Sequence, residues 1–163
     1  FEHTGFINAL QESLDAAIEK AETGHETRVM FTAHSLPLRY ILRGDPYINQ
    51  VRKTVQLIQV KRKLPFQSDL AFHSRIGPMK WQGPEPGELL EQYVTDGVTQ
   101  LIVQPVSFSF ENLETLYDLD IEFKQTCLKR GIQLFHRGAA PGQSNHYLDM
   151  IVDLVQSKVG INE

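Results

Sequence analysis

The chain has 163 residues, a formal net charge of −4 and one cysteine. That length suffices for a single α/β domain with a sizeable core, and the acidic balance excludes the basic footprint that nucleic acid requires. Cys127 alone cannot form an internal disulfide or an all-cysteine zinc or iron–sulfur site, and no apolar run approaches the roughly 20 residues that cross a bilayer.

No signal-peptide pattern opens the sequence, so a cytoplasmic location is expected, with contact at a membrane surface left open. The first residue is Phe1 rather than Met, which leads us to expect a fragment or a processed product. Phe6, Leu10, Leu14, Ala17, Ile18 and Ala21 recur at helical spacing over 5–22, with Thr4 as a possible cap. The run from Arg28 to Ala33 reads as a buried strand, which His34-Ser35-Leu36-Pro37 ends because Pro37 withholds a backbone donor. Gly44-Asp45-Pro46 then makes a turn, with Asp45 capping a helix that carries Val51, Val55, Leu57 and Ile58. Lys61-Arg62-Lys63 closes that helix with solvated cations, which suit the negative end of its dipole.

A second strand spans Asp69 to Ser74, and a long Pro/Gly loop follows from Gly77 to Gly87. Loops of that length inside compact domains are often functional. A helix over 87–96, a strand over 100–106 and a helix over 112–130 come next, the last ending at Gly131. Ile132 to His136 form a final strand and 144–158 a final helix. Four strands separated by helices predict a three-layer, Rossmann-like α/β domain around a four-stranded parallel sheet, with right-handed crossovers.

Ligands in such sheets bind beyond the carboxyl ends of the strands. His34, the Gly77–Pro84 loop and the segment Ser107–Glu114 all fall at that edge. A neutral imidazole there can accept a proton or bind a divalent metal; it can equally be a histidine satisfied by backbone groups. Glu114, Asp118 and Glu122 lie four residues apart and form one ridge, with Glu111 near the same face. Such a row could pass protons or hold a hydrated cation, or it could be a solvated face opposite Leu113, Leu116, Tyr117 and Phe123. Trp81 and Tyr47 are either walls for a flat aromatic ligand or anchors of the local core. His3 and His25 read as surface residues, and the remaining histidines form no metal-spacing motif. No dinucleotide fingerprint, P-loop or nucleophile elbow is present.

Taken in order, four segments resemble the second half of ferrochelatases: Phe31-Thr32-Ala33-His34-Ser35-Leu36-Pro37, Arg43-Gly44-Asp45-Pro46-Tyr47, the stretch Ser74-Arg75-Ile76-Gly77-Pro78-Met79-Lys80-Trp81-Gln82-Gly83-Pro84, and the run Leu113 to Glu122. The resemblance implies insertion of ferrous iron into a porphyrin, protoporphyrin IX or coproporphyrin III, to make haem. It implies His34 as the active-site histidine, Glu114 as the carboxylate facing it, and both as the groups that handle metal. Asp118 and Glu122 would continue a proton or metal path along a helix with a π-type irregularity, and Tyr47 and Trp81 would lie near the macrocycle.

A complete member of that family has two similar domains with the porphyrin between them, so residues 1–163 would supply the C-terminal one and the N-terminal half would be the partner. Iron would be a substrate, no organic cofactor would be needed, and no iron–sulfur cluster is expected. One departure stands out: Phe110-Glu111-Asn112 replaces a common Ser-Asp-His, so Asn112 stands where a second histidine often sits. Two rival readings are a short sirohydrochlorin-type chelatase working as a homodimer and a domain that binds porphyrin or metal without catalysis.

Overall fold

The computed structural model describes residues 1–160. Four strands, β1 (Thr27–His34), β2 (Gln67–His73), β3 (Gln100–Pro105) and β4 (Leu134–Arg137), form one parallel sheet in the order β2-β1-β3-β4. Around it run α1 (Thr4–Ile18), the short α2 (Leu38–Ile41), α3 (Tyr47–Arg62), α4 (Pro86–Thr95), a π-helix (Glu114–Phe123), α5 (Lys124–Lys129) and α6 (Asn145–Val159). The predicted α/β class and its three layers are present.

Central β1 shows why the sheet is buried on both faces. Its side chains alternate, so Val29, Phe31 and Ala33 pack with Leu10 and Leu14 of α1 and Val51, Val55 and Ile58 of α3. Met30 points the other way, into a cluster with Leu90 and Tyr93 of α4, Leu119 of the π-helix and Cys127 of α5. Each such fully buried aliphatic or aromatic side chain is worth about 1.5–3 kcal/mol relative to exposure. Burial in that layer also pushes the Cys127 thiol up to about 12, which leaves it protonated and unreactive at neutral pH.

Several boundaries differ from the sequence reading, each for a local reason. His3, not Thr4, caps α1, its Nδ1 accepting the Gly5 N–H at 3.1 Å. His25 is half-buried rather than superficial, with Nδ1 3.0 Å from Thr99 Oγ1. Asp45 does support the start of α3 through the Tyr47 N–H, while Pro46 occupies the cap itself. Periodicity reads 112–130 as one regular helix; the structure has a π-helix continuing into α5, as the family resemblance implied for this stretch. The π-helix buries Thr115 and Leu119, and α5 buries Cys127. Leu113, Leu116 and Tyr117, which the solvated-ridge reading sets opposite the carboxylates, are themselves 73%, 50% and 45% exposed. Of that apolar set Phe123 alone packs inward, edge-on to Phe135.

Strand register fixes what meets at the carboxyl edge. His34 pairs with His73 at the ends of β1 and β2, and Thr32 pairs with Pro105 near the end of β3. The chain leaves β1 toward β2 on one side while β3 lies on the other, so the β1/β3 boundary is the crevice where such sheets bind ligands.

Candidate active site

Three segments converge on that crevice. From β1 comes His34, whose main-chain N–H donates to Ser107 Oγ at 2.9 Å and whose carbonyl accepts the Tyr47 hydroxyl at 3.0 Å. From the π-helix comes Glu114. Asn112 sets its place: the amide oxygen accepts the N–H groups of Glu114 and Thr115 at 2.8 and 3.3 Å, capping the first turn. Asparagine at this position is therefore a helix cap, whatever a histidine would do there. From the end of β2 comes Ser74, a non-glycine residue at φ +68°, which turns its side chain back toward Glu114.

The side chains meet on one carboxylate. His34 Nδ1 lies 2.9 Å from Glu114 Oε2, the Ser74 hydroxyl donates to the same oxygen, and His73 Nδ1 is 3.7 Å from it. Burial acts to raise the Glu114 pKa, but the Ser74 hydroxyl and the adjoining imidazoles outweigh it and hold the carboxyl below its usual range. Glu114 is thus ionised at neutral pH and can only accept. In its neutral form His34 then carries its proton on Nδ1, which leaves Nε2 as a lone pair. The His34 and Glu114 side chains are 38% and 29% exposed, so both remain open to a ligand.

The ridge read from the sequence divides in two. Asp118 and Glu122 line a cleft of about 360 Å3 shared with His73, Ser74 and Arg75, immediately beside Glu114. Among the described residues neither forms an ion pair, and the cation in the cleft, Arg75, is held by Glu85 at 2.7 Å. Glu111 is not part of this row. It accepts from Arg137 Nη1 at 3.0 Å and from the Ala140 N–H at 2.8 Å, and Asp120 takes Arg137 in a fork at 2.6 and 2.8 Å. A larger hollow of about 460 Å3, between α1 and residues 139–144, includes neither His34 nor Glu114 in its lining.

Tyr47 and Trp81 sit nearby in different ways. Tyr47 is half-buried and its hydroxyl holds the His34 carbonyl, so it positions the histidine strand end directly. Trp81 belongs to a loop stitched onto the segment after β1, through a bridge to Pro37 and through the Leu38 and Gln82 N–H groups, which donate to Lys80 and Leu36 at 2.9 Å each. Its ring is half-buried. Sequence reasoning placed Ser107 at the ligand-binding edge and Ser74 in a recognisable motif without giving either a role, and it missed His73 and the capping role of Asn112. The shared strand-end position of His34 and His73 was the signal available for His73.

A ferrochelatase family model matches residues 1–159. The chain belongs to the ferrochelatase family. It is 32% identical to the ferrochelatase of Geotalea daltonii over 160 residues, covering 98% of this chain and 50% of that protein. Against the ferrochelatase of Geobacter metallireducens it is 35% identical over 156 residues, with 96% and 49% covered. Prochlorococcus marinus ferrochelatase is 36% identical over 162 residues, with 96% and 41% covered. The chain therefore spans about half the length of the curated relatives it matches. A crystal structure described as a candidate cobalamin (vitamin B12) biosynthesis CbiX protein from Marinobacter aquaeolei shares the fold, with a TM-score of 0.53 at 13% identity, over 83% of this chain and 99% of that one. The fold and family expected from the sequence motifs are thus in place.

Proposed function

We propose that this chain is the C-terminal half of a two-domain ferrochelatase that inserts Fe2+ into a porphyrin, protoporphyrin IX or coproporphyrin III, in haem biosynthesis. The observation that carries this reading is the 2.9 Å contact between His34 Nδ1 and Glu114 Oε2 at the carboxyl edge of the sheet. It gives the site a free imidazole nitrogen and an ionised carboxylate side by side. Metallation removes two pyrrole protons as the metal enters, so a base must stand over the ring. His34 Nε2 accepts one pyrrole proton, with the neighbouring Glu114 stabilising the imidazolium that forms, and releases it to water or the cleft carboxylates before taking the second. With the imidazole lone pair committed to protons, the Glu114 carboxylate is the protein ligand of this pair and leaves an arriving Fe2+ most of its water, which it sheds on passing to the macrocycle nitrogens.

Asp118 and Glu122 extend the site into the cleft, where unpaired carboxylates suit either outgoing protons or a hydrated divalent ion. Leu113, Leu116 and Tyr117 expose apolar surface beside Glu114, which supports a second wall or a macrocycle over this face. Half-length coverage of the curated relatives supports an N-terminal partner domain over a short homodimeric enzyme. Trp81 and Tyr47 are proposed to border the macrocycle. Iron enters as substrate, and no organic cofactor takes part. Among the described residues no helix is long and apolar enough to cross a membrane.

The test is metal insertion by the two-domain protein, followed by porphyrin absorbance with Zn2+ or Fe2+. His34→Ala and Glu114→Gln should each lower the rate by at least about 100-fold. Near-normal insertion in both variants would sink the proposal.

A further inference from the structure

A second imidazole stands behind the first, outside the proton transfer proposed for His34. His73 is the register partner of His34, ends the neighbouring strand and is only 8% exposed. Phe108 covers its ring at a centroid distance of 5.7 Å. Its Nδ1 lies 2.8 Å from Ser74 Oγ, while its Nε2 is buried with no hydrogen-bond partner. A buried polar atom left unmet is a standing cost that native structures rarely carry without a reason.

Counting donors fixes the direction of the bonds His73 does make. An ionised Glu114 cannot donate, so Ser74 commits its single proton to Glu114. The serine oxygen must then receive its bond from His73, which places the His73 proton on Nδ1. Nε2 is then an acceptor buried without a donor, and the hydrogen bond His73 does make runs entirely through Nδ1. In this arrangement Ser74 cannot turn its hydroxyl toward His73, because it would meet a donor. The series His73 to Ser74 to Glu114 therefore runs in one direction only. It loads Glu114 Oε2 from one side while His34 loads the same atom from the other.

We propose that His73 is a positioning residue that acts through Ser74 to hold the Glu114 carboxylate in the single orientation the metal step uses. Resting on the function proposed above, this assigns Oε1 as the oxygen left free for the incoming cation. Loss of the Ser74 hydroxyl, or an apolar side chain in place of the imidazole, would release Glu114 to rotate while leaving it in the site.

The experiment uses the two-domain protein and Zn2+ or Fe2+ insertion. His73→Leu and Ser74→Ala should each lower kcat for insertion by about 10- to 100-fold. The double variant should be no slower than Ser74→Ala alone, because both remove one series. His73→Asn, whose amide N–H can take the place of Nδ1–H, should recover activity to within a few-fold of the unmodified protein, and a purely space-filling role would not predict that. In 15N spectra of the unmodified protein, His73 should show the Nδ1–H tautomer.

Additive losses, an Asn variant as slow as the Leu variant, or an Nε2–H signal would each overturn the inference while the function stands. An unmodified protein that inserts no metal would instead remove the function; the tautomer would then still report on the hydrogen-bonded series. If His73→Leu does not fold, as its thermal unfolding would show, Ser74→Ala and His73→Asn carry the comparison.

Discussion

Two sets of carboxylates come from one short stretch of chain and have opposite fates. Glu111 and Asp120 are taken up by Arg137, whose side chain is 11% exposed, and together they tie the β4 end to the π-helix and the loop before it. Among the described residues Glu114, Asp118 and Glu122 meet no such cation. Asp118 and Glu122 line an open cleft, and Glu114 beside it is held instead by the Ser74 hydroxyl and the His34 imidazole. The contrast separates structural from chemical charge: a carboxylate neutralised by a guanidinium is spent on holding the fold. One kept ionised by a hydroxyl and an imidazole remains available to a proton or a metal.

The contrast can be broken most sharply at Glu114. Glu114→Gln should lower insertion by about 10²- to 10⁴-fold, the usual range for losing a positioned acid or base, while stability falls by only about 1 kcal/mol. A variant that unfolded before it lost activity would place Glu114 with the structural set. Acid sensitivity of the same site is the next largest effect. Burial, opposed by Glu114 and assisted by His34, lowers the His73 pKa to about 4 from an ordinary 6.5. The unfolded chain therefore binds this proton first as pH falls, and stability rises with pH between those two values. The His73 contribution is fully present above 6.5 and is lost on the way down to 4, a change of about 3 kcal/mol. Denaturant midpoints of the unmodified protein should fall through that window more steeply than those of His73→Asn. Parallel curves would contradict the buried neutral imidazole.

How far the sequence carried depended on the distance over which each feature is decided. Strand and helix order follow from local periodicity, as Val29, Phe31 and Ala33 against Met30 illustrate, and the α/β class was legible for that reason. His34 was legible because a proline three residues on ends its strand and the motif around it is recognisable. The π-helix was not legible from period, since the same residues also satisfy an α-helical pattern; the family resemblance implied it, and Leu113, Leu116 and Tyr117 on the outside show its effect on packing. Nor was the division of the acidic run. Arg137 lies 26 residues beyond Glu111 and arrives through the register of β4 with β3, where it pairs with Val103. His73 escaped notice likewise, because its importance comes from standing beside His34 in the sheet and not from any spacing along the chain.

That division predicts a complementary result at the β4 edge. Arg137→Met removes the guanidinium and leaves two part-buried carboxylates facing each other. Burial opposes the Arg137 charge, and its bonds to Asp120 and Glu111 outweigh that and raise its pKa, so the pairing favours the charged form. Losing hydrogen bonds to charged groups should cost about 2 kcal/mol, or roughly 4–8 °C in Tm for a domain of this size. Insertion activity measured well below the new Tm should change far less than in Glu114→Gln. If activity collapsed with stability intact, Arg137 would belong to the chemical set after all.

Tyr47 offers the finest test, because it lies between the two categories. Its hydroxyl donates to the His34 carbonyl at 3.0 Å, and burial, eased by Ser107 and reinforced by Glu114, raises its pKa so that it stays protonated. Tyr47→Phe keeps the ring and deletes the donor, leaving a part-buried carbonyl short of one bond. The expected loss is about 1 kcal/mol of stability, read from a denaturant titration. The catalytic consequence discriminates more finely. If the hydroxyl only holds the strand end, insertion should slow by no more than a few-fold, because the Ser107 bond to the His34 N–H still fixes the backbone. If the ring also borders the macrocycle, Tyr47→Phe should leave the porphyrin KM unchanged while Tyr47→Ala raises it, since contact with a flat ligand is made by the ring face and not by the hydroxyl. Equal KM values in the two variants would confine Tyr47 to the histidine backbone.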